Sequence, residues 1–264
     1  MNQLVASNVS LGYGERNVIA GMDLAVPPGK ITSIVGPNGC GKSTLLRALS
    51  RLLAPSSGDV LLDGQPLSSL PGKQIARILG LLPQSPIAPE GIVVADLVGR
   101  GRHPYQGLMG RWSARDYEVV ARSLETTHTS ELSERPVDEL SGGQRQRVWI
   151  AMALAQETDI LLLDEPTTFL DVANQLDVLD LLTDLNREGT TIVMVLHDIN
   201  LAARYSDYLV AMKDGAIHVQ GTPHEVVTAE HMAEVFGIRS EIHPDPVSGS
   251  PLVVPIGRHH AKGD

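Results

Sequence analysis

Ile31-Thr32-Ser33-Ile34-Val35-Gly36-Pro37-Asn38-Gly39-Cys40-Gly41-Lys42-Ser43-Thr44 carries the reading of the fold. The first five residues are short, apolar and rich in β-branched side chains, and a glycine cluster stops them, as for a buried strand. The next nine match G-x-x-x-x-G-K-[ST]. From Lys42 the period changes: Leu45, Leu46, Leu49, Leu52 and Leu53 recur at helical spacing, and Pro55 ends the run. Strand, glycine-rich turn and helix in that order predict a phosphate-binding loop. Glycines let the backbone curl until several N–H groups face one anion, and the helix adds its positive end. Lys42 supplies a compact cation for the β- and γ-phosphates, and the Ser43 hydroxyl is a ligand for Mg²⁺. Gly36, Pro37, Asn38, Gly39, Cys40, Gly41, Lys42, Ser43 and Thr44 are therefore the candidate ATP-binding residues.

Two further runs read as strands beside helical patterns, Ile160-Leu161-Leu162-Leu163 and Ile192-Val193-Met194-Val195-Leu196. Such βα units predict an α/β domain with a mainly parallel sheet. Asp63-Gly64 and Asp214-Gly215 lie between β-like segments and predict hairpin turns, so antiparallel strands are expected as well. From about 88 to 155 β-branched runs are scarce and helical spacing dominates, which predicts a helical insert. A small extension is expected over about 222–264. At 264 residues the chain is long for one ordinary domain and short for two, so a single domain over 1–264 is expected.

The composition narrows the function classes. Lys plus Arg number 21 against 31 Asp plus Glu, a net charge of −10, so a nucleic-acid partner is not expected. One cysteine makes no internal disulfide, and MNQLVASNVS has no apolar signal core, which predicts a reducing cytoplasmic setting. No window approaches 18 uncharged apolar residues. G-x-G-x-x-G occurs nowhere, which argues against a nicotinamide enzyme. Five of the nine histidines follow Gly221, but the adjacent pair His259-His260 has no third ligand and reads as tail.

Asp164-Glu165 ends the second strand. Asp164 is placed to hold Mg²⁺, directly or through water, and Glu165 to orient and deprotonate an attacking water. Ser141-Gly142-Gly143-Gln144 precedes a helical pattern and is either a capped helix start or a second anion-binding one. Cys40 is either a small residue that fits the loop or a thiol activated at a helix N-terminus.

Phosphate loop, LSGGQ and LLLDE in this order resemble the ATP-binding subunits of ABC transporters, and the resemblance covers nearly the whole chain. It implies a RecA-like P-loop NTPase core with an antiparallel β subdomain and an inserted helical subdomain. Tyr13 then matches the aromatic that stacks on adenine. Gln84 matches the glutamine that joins core to insert and senses Mg²⁺ and the γ-phosphate. Asp171 matches the aspartate that contacts the opposite subunit, and His197 the histidine at the γ-phosphate. Phe169 departs from the small residue common at its position. In this family two subunits pair head to tail, so that Ser141 of one closes over ATP held by Lys42 of the other.

Among ABC proteins, PEGIVVADLVGRGRHPYQ and EIHPDPVSGSPLVVPIGR resemble the ferric-siderophore importers, with vitamin B12 and haem importers as near alternatives. A soluble ABC ATPase of metal-cluster assembly is the reading from another class. The importer resemblance implies integral membrane permease subunits, a substrate-binding protein met only indirectly, and a peripheral place on the cytoplasmic face of the inner membrane. Arg100-Gly101-Arg102-His103-Pro104-Tyr105 lies where the family docks its permease, or is a solvated basic loop.

Overall fold

A computed structural model describes residues 2–107 and 111–257. His259, His260 and the rest of the terminal stretch 258–264 lie outside the described residues. The strands are β1 (Leu4–Tyr13), β2 (Arg16–Val26), β3 (Ile31–Val35), β4 (Ser57–Leu62), β5 (Gln65–Pro66), β6 (Leu79–Leu82), β7 (Ile160–Asp164), β8 (Thr191–Val195), β9 (Tyr208–Lys213), β10 (Ala216–Gly221), β11 (Ser240–Pro244) and β12 (Pro251–Pro255). The helices are α1 (Lys42–Leu49), α2 (Gly72–Ile75), α3 (Val94–Gly99), α4 (Ala114–Thr126), α5 (Gly142–Leu154), α6 (Val172–Arg187), α7 (Ile199–Tyr205), α8 (Pro223–Val226) and α9 (Ala229–Phe236).

The chain forms two compact units. The flanking unit joins Gln3–Ser68 to Val193–Asp264, and the mid-chain unit is Ser69–Ile192 with the first two residues. In the flanking unit β1 pairs antiparallel with β2 and β4. A second set of strands runs in the order β10-β9-β3-β8, with β9 parallel to β3 and antiparallel to β10. All five residues of β3 are buried, as expected for a strand covered on both faces. The hairpin β11–β12 pairs from Ser240↔Pro255 to Pro244↔Pro251. In the mid-chain unit β6 runs parallel to β7, and the five residues of β7 are buried. Between Val94 and Leu154 the regular elements are helical.

Both Asp-Gly pairs close two-residue hairpins. Asp63 and Gly64 have φ of 51° and 77°, Asp214 and Gly215 of 47° and 79°. Positive φ at both central residues is the turn whose twist matches paired strands, and Asp tolerates it because its short side chain bonds locally.

Two sequence expectations are corrected. The helix after Lys42 stops at Leu49, although the leucine spacing runs on to Leu53. Arg51 adopts φ 62°. Its N–H donates to Ala48 O at 3.0 Å, and that of Leu52 to Arg47 O at 2.8 Å. This is a Schellman ending, which satisfies the last carbonyls and turns the chain away. Leu52 is left exposed.

The second correction is to the solvated-loop alternative for Arg100–Tyr105, which is a 3-10 helix with Gly101 and Arg102 buried. Arg102 is only 2% exposed. Its Nε donates to Asp116 at 2.9 Å, and its Nη1 to Ala155 O at 2.7 Å and Glu157 at 2.9 Å. Tyr105 stacks under the same guanidinium at 4.0 Å and donates its hydroxyl to Gln156 O. The Ser113 N–H, ahead of Arg102, holds Asp116 down to about 2. A buried guanidinium with two carboxylate partners and an aromatic face organises the segment from inside.

Candidate functional site

The phosphate loop lies in the flanking unit. β3 delivers the chain into Gly36, where a side chain is excluded: a Cβ would lie 2.2 Å from Met212 O. Gly39 and Gly41 follow with φ of 78° and 106°, so the loop alternates in handedness before α1 starts at Lys42. This alternation makes a backbone nest of N–H groups, the concavity that receives phosphate oxygens. Pro37 has no N–H and contributes its carbonyl. The Lys42 ammonium donates to Gly36 O at 2.8 Å and Pro37 O at 3.0 Å. Its charge is thus pinned over the loop, and the side chain is 5% exposed. Asn38 and Gly39 are at the surface, Ser43 is half-buried and Thr44 is buried.

Cys40 is buried, and burial pushes its thiol up, against the lowering effect of Lys42. Burial thus works against an activated thiol and favours the reading of a small residue that fits the loop. Tyr13 ends β1 with 46% of its surface exposed. Its hydroxyl accepts from Arg47 of α1 at 3.2 Å, so the ring is tethered to the helix that the loop starts. His197 follows β8 and is exposed, one residue before the Asp198 cap of α7.

The mid-chain unit carries the carboxylates. Asp164 ends β7 and is 5% exposed. Glu165 turns the chain with φ 55°. Its carboxylate accepts from Gln84 Nε2 at 2.6 Å and from Thr168 Oγ1 at 3.0 Å. Gln84 and Glu165, far apart in sequence, are thus brought together. Thr168 is an orienting residue that sequence reasoning missed. Its position three residues after Glu165, at the turn made by Thr168 N–H to Glu165 O, was the available signal.

Ser141 caps α5. Its Oγ accepts from Gln144 N–H at 3.3 Å, and Gln144 Oε1 accepts from Ser141 N–H at 3.1 Å. This reciprocal capping box satisfies two donors that a helix start otherwise leaves open. A Cβ on Gly143 would lie 2.3 Å from Asn174 Oδ1, so a side chain there would displace the Asn174 amide from its present place. Asn174 in turn donates its backbone N–H and Nδ2 to Asp171, the cap of α6. A Cβ on Gly142 would stand 4.0 Å from Phe169 O. Phe169 has φ 65° and is 92% exposed.

The donor types suit Mg²⁺. Ser43 offers a hydroxyl in one unit, Asp164 a buried carboxylate and Gln84 an amide in the other, and hard oxygens are what that ion takes. No group of three or more His, Cys, Asp or Glu that could hold a metal occurs among the described residues. No described helix is long and apolar enough to cross a membrane.

Comparison with known proteins adds independent observations. The family model described as ABC transporter matches residues 19–168. The petrobactin import ATP-binding protein FpuD of Bacillus anthracis is 53% identical over 97% of this chain and 94% of its own. The ferric enterobactin transport ATP-binding protein FepC of Escherichia coli is 51% identical over 97% and 95%. Among solved structures, the dimeric bacterial ABC transporter cassette MJ0796 superposes with a TM-score of 0.74 at 29% identity. That match covers 83% of this chain and 98% of the other.

Proposed function

The chain belongs to the ABC transporter family, and from that premise we propose that it drives import of iron(III)–siderophore complexes through a separate membrane permease. It is an ATPase of that family. Two relatives named for petrobactin and ferric enterobactin align over almost their whole length, which supports the substrate class. The net charge of −10 suits docking at the cytoplasmic face of the inner membrane, since cytoplasmic loops of membrane proteins are enriched in Lys and Arg.

The observation that carries the chemistry is the Glu165 carboxylate held by Gln84 and Thr168. Glu165 accepts a proton from the water that attacks the γ-phosphate, and its two donors aim it. Lys42 and the loop N–H groups neutralise the charge that gathers on the phosphate oxygens. Tyr13 stacks on the adenine, and His197 bonds the γ-phosphate. Ser43, Asp164 and Gln84 would hold a Mg²⁺ ion, which would supply further charge neutralisation. Ser141, Gly142, Gly143, Gln144 and Asp171 act toward a second copy of the chain. Two copies then enclose two ATP molecules, and hydrolysis weakens the pair. A substrate-binding protein delivers the iron complex on the far side of the permease.

Uptake of radiolabelled iron, offered as a panel of ferric siderophores and ferric citrate, tests the proposal. Cells with Glu165→Gln should lose uptake of one or a few chelates that wild-type cells take up. Unchanged uptake of every chelate, with the permease expressed and other ATPases deleted, would reject iron import. It would turn the search to vitamin B12, haem or a non-transport role.

A further inference from the structure

We infer that the β11–β12 hairpin holds His197 in place by clamping the helix that follows it, which makes Asn200 and Arg204 positioning residues for hydrolysis. The inference rests on His197 acting at the γ-phosphate. Every contact in it lies inside the flanking unit.

α7 has seven residues and buries only Ala202 and Ala203. Two turns of helix with so little apolar cover are marginal alone. Polar tethers supply the rest. At the start, Asp198 Oδ1 accepts from the N–H groups of Asn200 at 2.8 Å and Leu201 at 3.0 Å. Asn200 then pairs with the backbone of β12. The Val253 N–H donates to its Oδ1 at 2.8 Å, and its Nδ2 donates to Val253 O at 3.2 Å. One amide thus exchanges two bonds with one residue of a strand, as a neighbouring strand would.

Arg204 lies four residues on, on the same face of the helix. Its Nε donates to Asp245 Oδ2 at 3.0 Å, and Nη2 donates to the same oxygen. Asp245 is almost fully buried, with its side chain 4% exposed. Its other oxygen accepts from Val247 N–H at 2.8 Å and Ser248 N–H at 3.3 Å, shaping the turn between β11 and β12. The same carboxylate therefore fixes the hairpin and holds α7 to it.

His197 sits between two anchors. Upstream, Leu196 N–H donates to Ile34 O of β3 at 3.2 Å. Downstream, the clamp begins three residues away, at Asn200. The position of the imidazole follows that of its own backbone, so anchors on either side of His197 contribute to its placement. Displacement of reacting groups by about 1 Å can cost about a hundredfold in rate.

The test uses the full-length chain, with kcat normalised to nucleotide-binding stoichiometry so that unfolded protein does not count. Asn200→Ala should lower kcat about tenfold while KM and nucleotide affinity stay within about twofold. Asn200→Asp keeps the acceptor for Val253 N–H, loses the donor and should fall between. It serves as the measured variant if Asn200→Ala does not fold. Arg204→Lys keeps the charge but not the fork, and should recover part of the loss seen with Arg204→Ala. His197→Ala is the reference. If His197→Ala turns over normally, the role of His197 fails. If it is inactive while Asn200→Asp and Arg204→Ala keep wild-type kcat, the clamp fails and the histidine stands.

Discussion

Gly36–Thr44 and Ser141–Gln144 are both glycine-rich helix starts, yet they solve opposite problems. The first holds Gly39 and Gly41 at positive φ and pins a lysine across its own carbonyls. Its curled backbone is a ready anion site. The second has no positive φ, and its serine and glutamine satisfy each other's backbone N–H groups. Of its two glycines, Gly143 packs closely, against Asn174. A loop that curls around its ligand can bind alone. The second, a helix end closed by its own cap, presents no such curl. The resemblance to ABC ATPases implies ATP binding for the first segment and closure onto a partner copy for the second, and the contrast fits that division.

Three measurements would break or sharpen this contrast. Lys42→Ala has the largest expected effect: ATP affinity should fall by about two orders of magnitude, or about 2.7 kcal/mol. Titration with a fluorescent ATP analogue reads this directly, and near-normal affinity would undo the phosphate-loop assignment. Ser141→Arg should leave that affinity within about twofold and lower hydrolysis about tenfold or more, with cooperativity in ATP lost. If it weakens ATP binding as much as Lys42→Ala does, the two helix starts are not divided as described.

The third measurement concerns stability and not turnover, in the framework behind the second segment. Asp116, bonded by Ser113 and Arg102, is held at about 2 when folded, below the ordinary value of 3.8. Between these values the unfolded chain binds more protons, so this stabilisation is present above pH ~4 and is lost as pH falls toward 2. Asp116→Asn should cost about 2 kcal/mol at neutral pH. In urea melts across pH it should also flatten the acid limb. An unchanged acid limb would remove Asp116 from the account.

Much of the flanking unit could be read in advance because its signals are local. Ile31–Val35 forms the expected strand, and both Asp-Gly pairs turn where predicted. The limit of such reading shows at Arg51. Leucine spacing continues past it, but the helix ends there, with a non-glycine residue taking a position usually given to glycine. Arg102 shows another limit. Beside Arg100 and His103 it reads as one more surface charge, and nothing nearby in sequence announces Asp116 or Glu157. Cys40 is a third case. Its place at a helix start suggests activation, and only its burial decides against it.

The sequence alone determined the elements whose cause lies within a few residues: the phosphate loop, the hairpin turns, a helix starting after Ser141 and the acidic end of β7. Backbone handedness, glycine permissiveness and capping act over that range, so the residues carry the answer with them. Tertiary structure decided what depends on partners distant along the chain. Gln84 meets Glu165 across 81 positions, Arg102 meets Glu157 across 55, and Asn200 meets Val253 across 53. Hydrogen bonds and buried charges are set by distances in space, and only the packed strands bring those residues within reach.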